Sequence, residues 1–161
     1  MQEVYQRLRS MCTRHTGRAQ LFRYDVPMFE VTFLPILFAG IVSVIIGFVW
    51  YHPYVFGGAW TRLTNLTPEM VERGKKSMPV MALVGLMASM LAAYVMNYFG
   101  LAWGVSDIIG AVELGFWCWL GFVAPTMLGM VLWEQKPFTL YLINALYWLV
   151  SFIAMAIVLV F

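Results

Sequence analysis

The sequence predicts an all-α integral membrane protein: a four-helix bundle with a short amphipathic helix in its first linker. Three observations lead there. Hydrophobic residues make up 62% of the 161 and charged residues 11%, against about 25% charged in a soluble domain, so the chain lacks the polar atoms to face water on all sides. The charges are also segregated. No Asp, Glu, Lys or Arg lies between Thr32 and Trp60, and between Lys76 and Glu134 only Asp107 and Glu113 are charged. The apolar stretches so delimited match the roughly 20 residues a helix needs to cross a hydrocarbon core about 30 Å thick.

Four spans follow, over about 31–51, 80–99, 108–133 and 138–161. Inside lipid a segment must satisfy its own backbone hydrogen bonds, which makes helix the expected form of each. The first begins after Pro27, tolerates Pro35 near its start, where a missing N–H costs least, and stops at Pro53 and Gly57-Gly58. The second enters after Pro79 and leaves at Gly100. The third follows Ser106 and Asp107, both good cap residues, and carries Pro125 inside, which frees a carbonyl one turn back and is expected to kink it. The fourth follows Pro137 and runs to the last residue.

Residues 57–79 form the one long linker. Its stretch "LTPEMVERG" predicts a short helix, with Thr67 as N-cap, Pro68 first, Glu69 in the first turn and Gly74 as the stop. The short linkers 100–106 and 134–137 make spans two and three, and three and four, antiparallel neighbours. Residues 28–161 therefore form the transmembrane domain. Residues 1–27 hold five Arg, no sustained apolar period and no apolar core of a secretory signal. They read as a disordered basic tail, dispensable for folding, with Met28 as an alternative start of translation.

The lipid bilayer is the first partner, and the inner, or cell, membrane the expected location. Alternating spans place linkers 57–79 and 134–137 on one side, with Arg62, Arg73, Lys75, Lys76 and Lys136. The other side has only Arg14, Arg18 and Arg23 near a span. Lys and Arg close to spans favour the cytoplasm, so the 57–79 linker is expected there and both termini outside. No feature suggests nucleic acid.

Ionisable groups at membrane depth are functional candidates by default. Glu113 lies six residues past Asp107, or about 9 Å along a helix. With Trp117, Gly121 and Ala124 it is expected to form an inward face. One reading makes it a proton- or ion-binding carboxylate; the other bonds it structurally to Asn97 from the same membrane side. Asn144 and Tyr147 in span four, with Ser43 and Thr126, are further inward candidates, in which helix packing competes with ligand binding. The stripes Ala39, Ser43, Gly47 and Gly121, Pro125, Gly129 recur every four residues and suit close helix contact. Cys12 and Cys118 do not form a bridge on this reading, because Cys118 lies deep in an apolar run.

At the end of span one, Trp50, Tyr51, His52, Pro53, Phe56, Gly57 and Trp60 gather within "WYHPYVFGGAW". Pro53 and Gly57 would turn the chain along the surface and the aromatic rings would anchor it among headgroups. That accounts for the residue types but not for their spacing. His52 has no second ligand for a haem, and nothing completes a zinc set of three or four His, Cys, Asp or Glu, so neither cofactor nor metal is expected. No phosphate loop, nucleophile elbow or carboxylate pair appears, which leaves an enzyme the weakest reading.

The pattern W-Y-x-P-x-x-F-G-x-x-W resembles the signature of a bacterial family of small four-span membrane proteins of unknown function. The blocks "GFWCWLGFVAPT" (115–126) and "INALYWLV" are similar to the same family and follow in the right order. The resemblance covers residues 31–161. It implies a four-helix membrane fold and no activity, substrate or catalytic residue. Two functions remain in competition: a protein that binds or passes a small solute, ion or lipid within the bundle, its small-molecule ligand unidentified, and an assembly protein acting through its small-residue faces and the 57–79 linker. Either admits a homo-oligomer.

Overall fold

The computed structural model describes residues 33–161, so the expectations for the 1–27 tail and for Met28 lie outside the described residues. Four helices are long and apolar enough to cross a membrane, and the protein is a multi-pass membrane protein of all-α fold. Among the described residues there is no strand.

Helix α1 runs Phe33–Trp50, followed by a π-helical turn Pro53–Gly57 and a short helix α2, Gly58–Leu63. Helix α3 spans Pro68–Trp103. The third crossing is built from α4 (Ile108–Cys118), a second π-helical turn (Trp119–Val123) and the short helices α5 (Ala124–Met127) and α6 (Gly129–Leu132). Helix α7, Phe138–Val160, closes the order.

The linker helix and second span are one element rather than two. Thr67 caps it as expected, accepting from the Met70 N–H, with Pro68 first. Glu69 follows; its own backbone N–H and the Thr67 hydroxyl hold its carboxyl below the ordinary value. The stop expected at Gly74 does not occur, and the helix passes through Pro79 for 36 residues. A glycine inside a helix costs only about 1 kcal/mol, which its helix-favouring neighbours Glu72, Arg73, Lys75 and Lys76 offset, and Pro79 removes a single N–H bond where the helix enters its apolar stretch. The exit is at Gly104 rather than Gly100. Gly104 takes the left-handed φ of 68°, and the bonds Val105 N–H to Gly100 O and Gly104 N–H to Leu101 O complete a Schellman ending. Asp107 then caps α4 through the Gly110 N–H at 3.0 Å.

Helix α7 packs on α1 and α4, and α1 packs on α3. The dry core sits toward the α3–α4 turn: Ile36, Ala39, Ala93, Met96, Ala111, Leu114, Cys118, Phe152, Met155 and Ala156. Small residues dominate because association in lipid depends on close packing rather than on escape from water. Gly115 shows this best. A Cβ there would lie 2.7 Å from the Ile153 Cα and 2.8 Å from its N, so α4 and α7 touch backbone to backbone. Large side chains such as Phe33, Val80, Leu91, Ile109 and Phe122 are exposed, as lipid-facing residues should be.

Candidate functional site

The opposite end of the bundle is built differently, from aromatic rings and hydrogen bonds. The Trp50 indole donates to the Ile143 carbonyl at 3.0 Å, and Trp119, from the other flank, donates to the Ala145 carbonyl at 2.7 Å. Helix α7 is thus held at one turn by an indole from α1 and another from the third crossing. One residue on, the Tyr51 hydroxyl donates to the Asn144 side-chain oxygen at 2.9 Å. Its ring meets Tyr147 at 5.3 Å and Trp60 at 5.7 Å. Tyr147 reaches the Ser43 carbonyl at 3.4 Å, and Ser89 donates to the Ser43 hydroxyl at 3.2 Å inside the core. The Ser151 hydroxyl is buried and has no partner among the described residues.

These contacts account for the spacing of the W-Y-x-P-x-x-F-G-x-x-W motif. Pro53 opens the π-helical turn, which closes on Gly57 N–H to His52 O at 3.1 Å. The turn folds Phe56 back to 4.6 Å from Trp50. Gly57 is buried beneath the chain reversal, where a Cβ would collide with the Tyr51 carbonyl, and α2 then brings Trp60 against Tyr51. His52 and Tyr54 point outward, 5.4 Å from each other. The motif is a latch that fixes α1 and α2 to α7.

Beside the latch lies a furrow of about 290 Å³ between α1 and α3. Gly47, Phe48, Tyr51, Met78, Gly85 and Tyr147 line it. It continues along Ile41, Val44, Ile45, Ala82 and Leu86 as a second hollow of about 320 Å³, which exposes no polar surface. Val44, Phe48 and Ala82 belong to both. Phe48, Met78, Met81 and Leu83 are exposed, so the furrow opens sideways. One end therefore offers phenol hydroxyls and the other only hydrocarbon.

The sequence-derived residues divide into those the fold brings together and those it does not. Asn144 and Tyr147 join Tyr51, from outside the proposed inward set. Glu113 and Trp117 do not face the bundle interior: both are exposed, Trp117 by 55%. Glu113 makes no bond to Asn97 or to any other of the described residues. The buried positions of α4 are Ala111, Leu114, Gly115 and Cys118, a stripe that leaves 113 and 117 on the far side. Gly121 is also exposed, with open space at its Cβ position, whereas Ala124 is buried. The π-helical turn at 119–123 is the cause, because its wider winding shifts everything beyond it relative to the turns before. It also stands where Pro125 was expected to disturb the span. The stripe Ala39 and Ser43 is buried within the chain itself, and Gly47 lies against the Tyr147 ring.

The indole bonds of Trp50 and Trp119 escaped sequence reasoning, since a Trp near a span end reads equally well as a headgroup anchor. Among the described residues no three His, Cys, Asp or Glu converge as a metal set.

Residues 34–160 match a family described as a protein of unknown function, DUF1761. The chain belongs to the DUF1761 family. That match covers every crossing and both ends of the latch. No curated protein and no solved structure matches the chain.

Proposed function

We propose that this DUF1761 protein binds an amphipathic, lipid-like molecule that enters sideways from the bilayer into the α1–α3 furrow. One observation carries the reading. The furrow is polar at the Tyr51–Tyr147 end and wholly apolar at the other, which matches a molecule with a headgroup and a chain. From Met78 to Leu86 it runs about 12 Å along α3 at 1.5 Å per residue, most of one leaflet of a core about 30 Å thick. The latch holds the polar end rigid, as a binding site requires. The protein resides in the inner membrane with the latch and α2 on the cytoplasmic side, an orientation supported by Arg62, Arg73, Lys75, Lys76 and Lys136, all at that end.

Gly85 provides the test. A Cβ there meets nothing within 4 Å, so Gly85→Leu can project its side chain into the furrow without a clash at the backbone. Phosphatidylcholine carrying a diazirine on its acyl chain is expected to label Phe48, Met78 and Met81 on irradiation, and to lose that labelling in Gly85→Leu. Adducts spread evenly over other lipid-facing positions such as Leu91 and Phe122, unchanged in the variant, would overturn the proposal.

A further inference from the structure

The headgroup end of the furrow lies at the basic end of the bundle, and from this we infer that the occupant is an anionic phospholipid of the surrounding bilayer, its phosphate held by Lys75 beside the Tyr51–Tyr147 pair. The inference rests on the amphiphile reading above and names its ligand class. Among the described residues every Lys and Arg lies at this end, with Glu69, Glu72 and Glu134, while the other end carries Asp107 and Glu113 and no basic residue. The furrow is thus placed in the leaflet where a negative headgroup gains most.

Of the basic residues on α3, Lys75 lies nearest the opening by helix geometry. It precedes Met78, Ala82 and Gly85 at spacings of three, four and three, along one flank of the α3 face that lines the furrow. Lys76, Arg73 and Glu72 project from other faces by the same geometry. The Lys75 ammonium is 2.6 Å from the Glu72 carboxylate, with both side chains more than 60% exposed. An exposed pair of this kind holds weakly, so a phosphate, which accepts several charge-assisted bonds, competes well for the lysine. Its aliphatic stem is long enough to lie along the furrow while the ammonium stays at headgroup level.

The neutral donors complete the recognition. Tyr147 spends its hydroxyl on a long 3.4 Å contact with the Ser43 carbonyl, and Asn144 accepts from Tyr51 through its oxygen. The Asn144 N–H groups have no partner among the described residues. A zwitterionic headgroup would gain from these neutral donors equally but would bring its own cation toward Lys75. Charge therefore sets the preference, and the furrow sets the affinity common to both lipids.

Native mass spectrometry of the detergent-solubilised full chain tests this, with dioleoyl phosphatidylglycerol and dioleoyl phosphatidylcholine titrated in parallel. The parent protein is expected to bind the anionic lipid about fivefold more tightly, the effect of one basic side chain near a membrane surface. Lys75→Gln should weaken phosphatidylglycerol binding more than phosphatidylcholine binding and so abolish the difference, and Gly85→Leu should weaken both. Equal affinity for the two lipids in the parent, with Gly85→Leu still weakening both, would overturn the anionic inference and leave the furrow reading standing. Binding unaffected by Gly85→Leu would remove the furrow reading and the inference with it. Displacement of phosphatidylglycerol by equimolar glycerol phosphate would show that a soluble phosphate, and not a lipid, is the ligand.

Discussion

Removing one oxygen from Tyr51 isolates the contribution of the latch. The hydroxyl bonds to Asn144 at 2.9 Å, while the ring separately packs on Tyr147 and Trp60. Tyr51→Phe deletes the bond and keeps the packing. Hydrogen bonds between membrane helices are worth about 0.6 kcal/mol on average and at most about 1.7. A buried acceptor left without any partner costs about 1–3 kcal/mol, but Asn144 is only half-buried at the bundle end, so water can replace the lost phenol. The expected loss is therefore about 1 kcal/mol. Tyr51→Ala also removes the ring pairs, each worth roughly 0.5–1.5 kcal/mol beyond area, and should cost about 3 kcal/mol or more. The assay is reversible unfolding in mixed micelles, followed by tryptophan fluorescence, with Asn144→Leu and the double variant completing a cycle. Coupling of about 0.6–1.7 kcal/mol between positions 51 and 144 is expected. Strict additivity within about 0.3 kcal/mol would mean that the bond does not hold α1 to α7.

Gly115→Ala should be among the most disruptive single-atom changes. Its Cβ must displace the α7 backbone at Ile153, at a cost of about 1–3 kcal/mol; a melting temperature equal to the parent's would refute that close approach. Glu113→Gln, at an exposed position with no partner among the described residues, should alter stability by no more than about 0.5 kcal/mol. A loss above about 1.5 kcal/mol would put the carboxyl back inside the protein, where a broken buried interaction costs that much. For orientation, single cysteines at Thr64 and Val105 should differ on intact cells, with an impermeant thiol reagent reaching only position 105. Selective labelling at 64 would invert the topology.

Several features were legible in the residues alone. The charge-poor stretches, three without charge and the third with Glu113 alone, bounded four crossings because burying charge in hydrocarbon is costly. Thr67-Pro68-Glu69 and Asp107 announced two helix starts because a cap acts within three residues. The latch forms at the aromatic motif, and Asn144 and Tyr147 contact α1 and the residue after it, whereas Thr126, grouped with them as an inward candidate, is exposed and bonds within its own crossing. What failed did so where remote contacts outweigh local preference. Gly74, Pro79 and Gly100 look like breaks, yet none stops the helix: a glycine costs only about 1 kcal/mol, and beyond Pro79 an interrupted helix would leave backbone groups unpaired in lipid.

The face of Glu113 was beyond sequence reasoning for a related reason. A run apolar on every side has little periodicity to distinguish a lipid face from a protein face, since lipid and core are equally apolar. Only the packing of Ala111, Leu114, Gly115 and Cys118 against α7 decides it. The π-helical turn then changes the register beyond Cys118, which no four-residue count anticipates. The furrow and the Tyr51–Asn144 bond likewise join residues 93 positions apart in the chain. Composition and charge thus determined that this is a helical membrane protein and where its crossings lie, because lipid filters residues one at a time. Which sides of those helices meet one another, and the furrow left between them, came only from the tertiary structure, because that choice depends on shape.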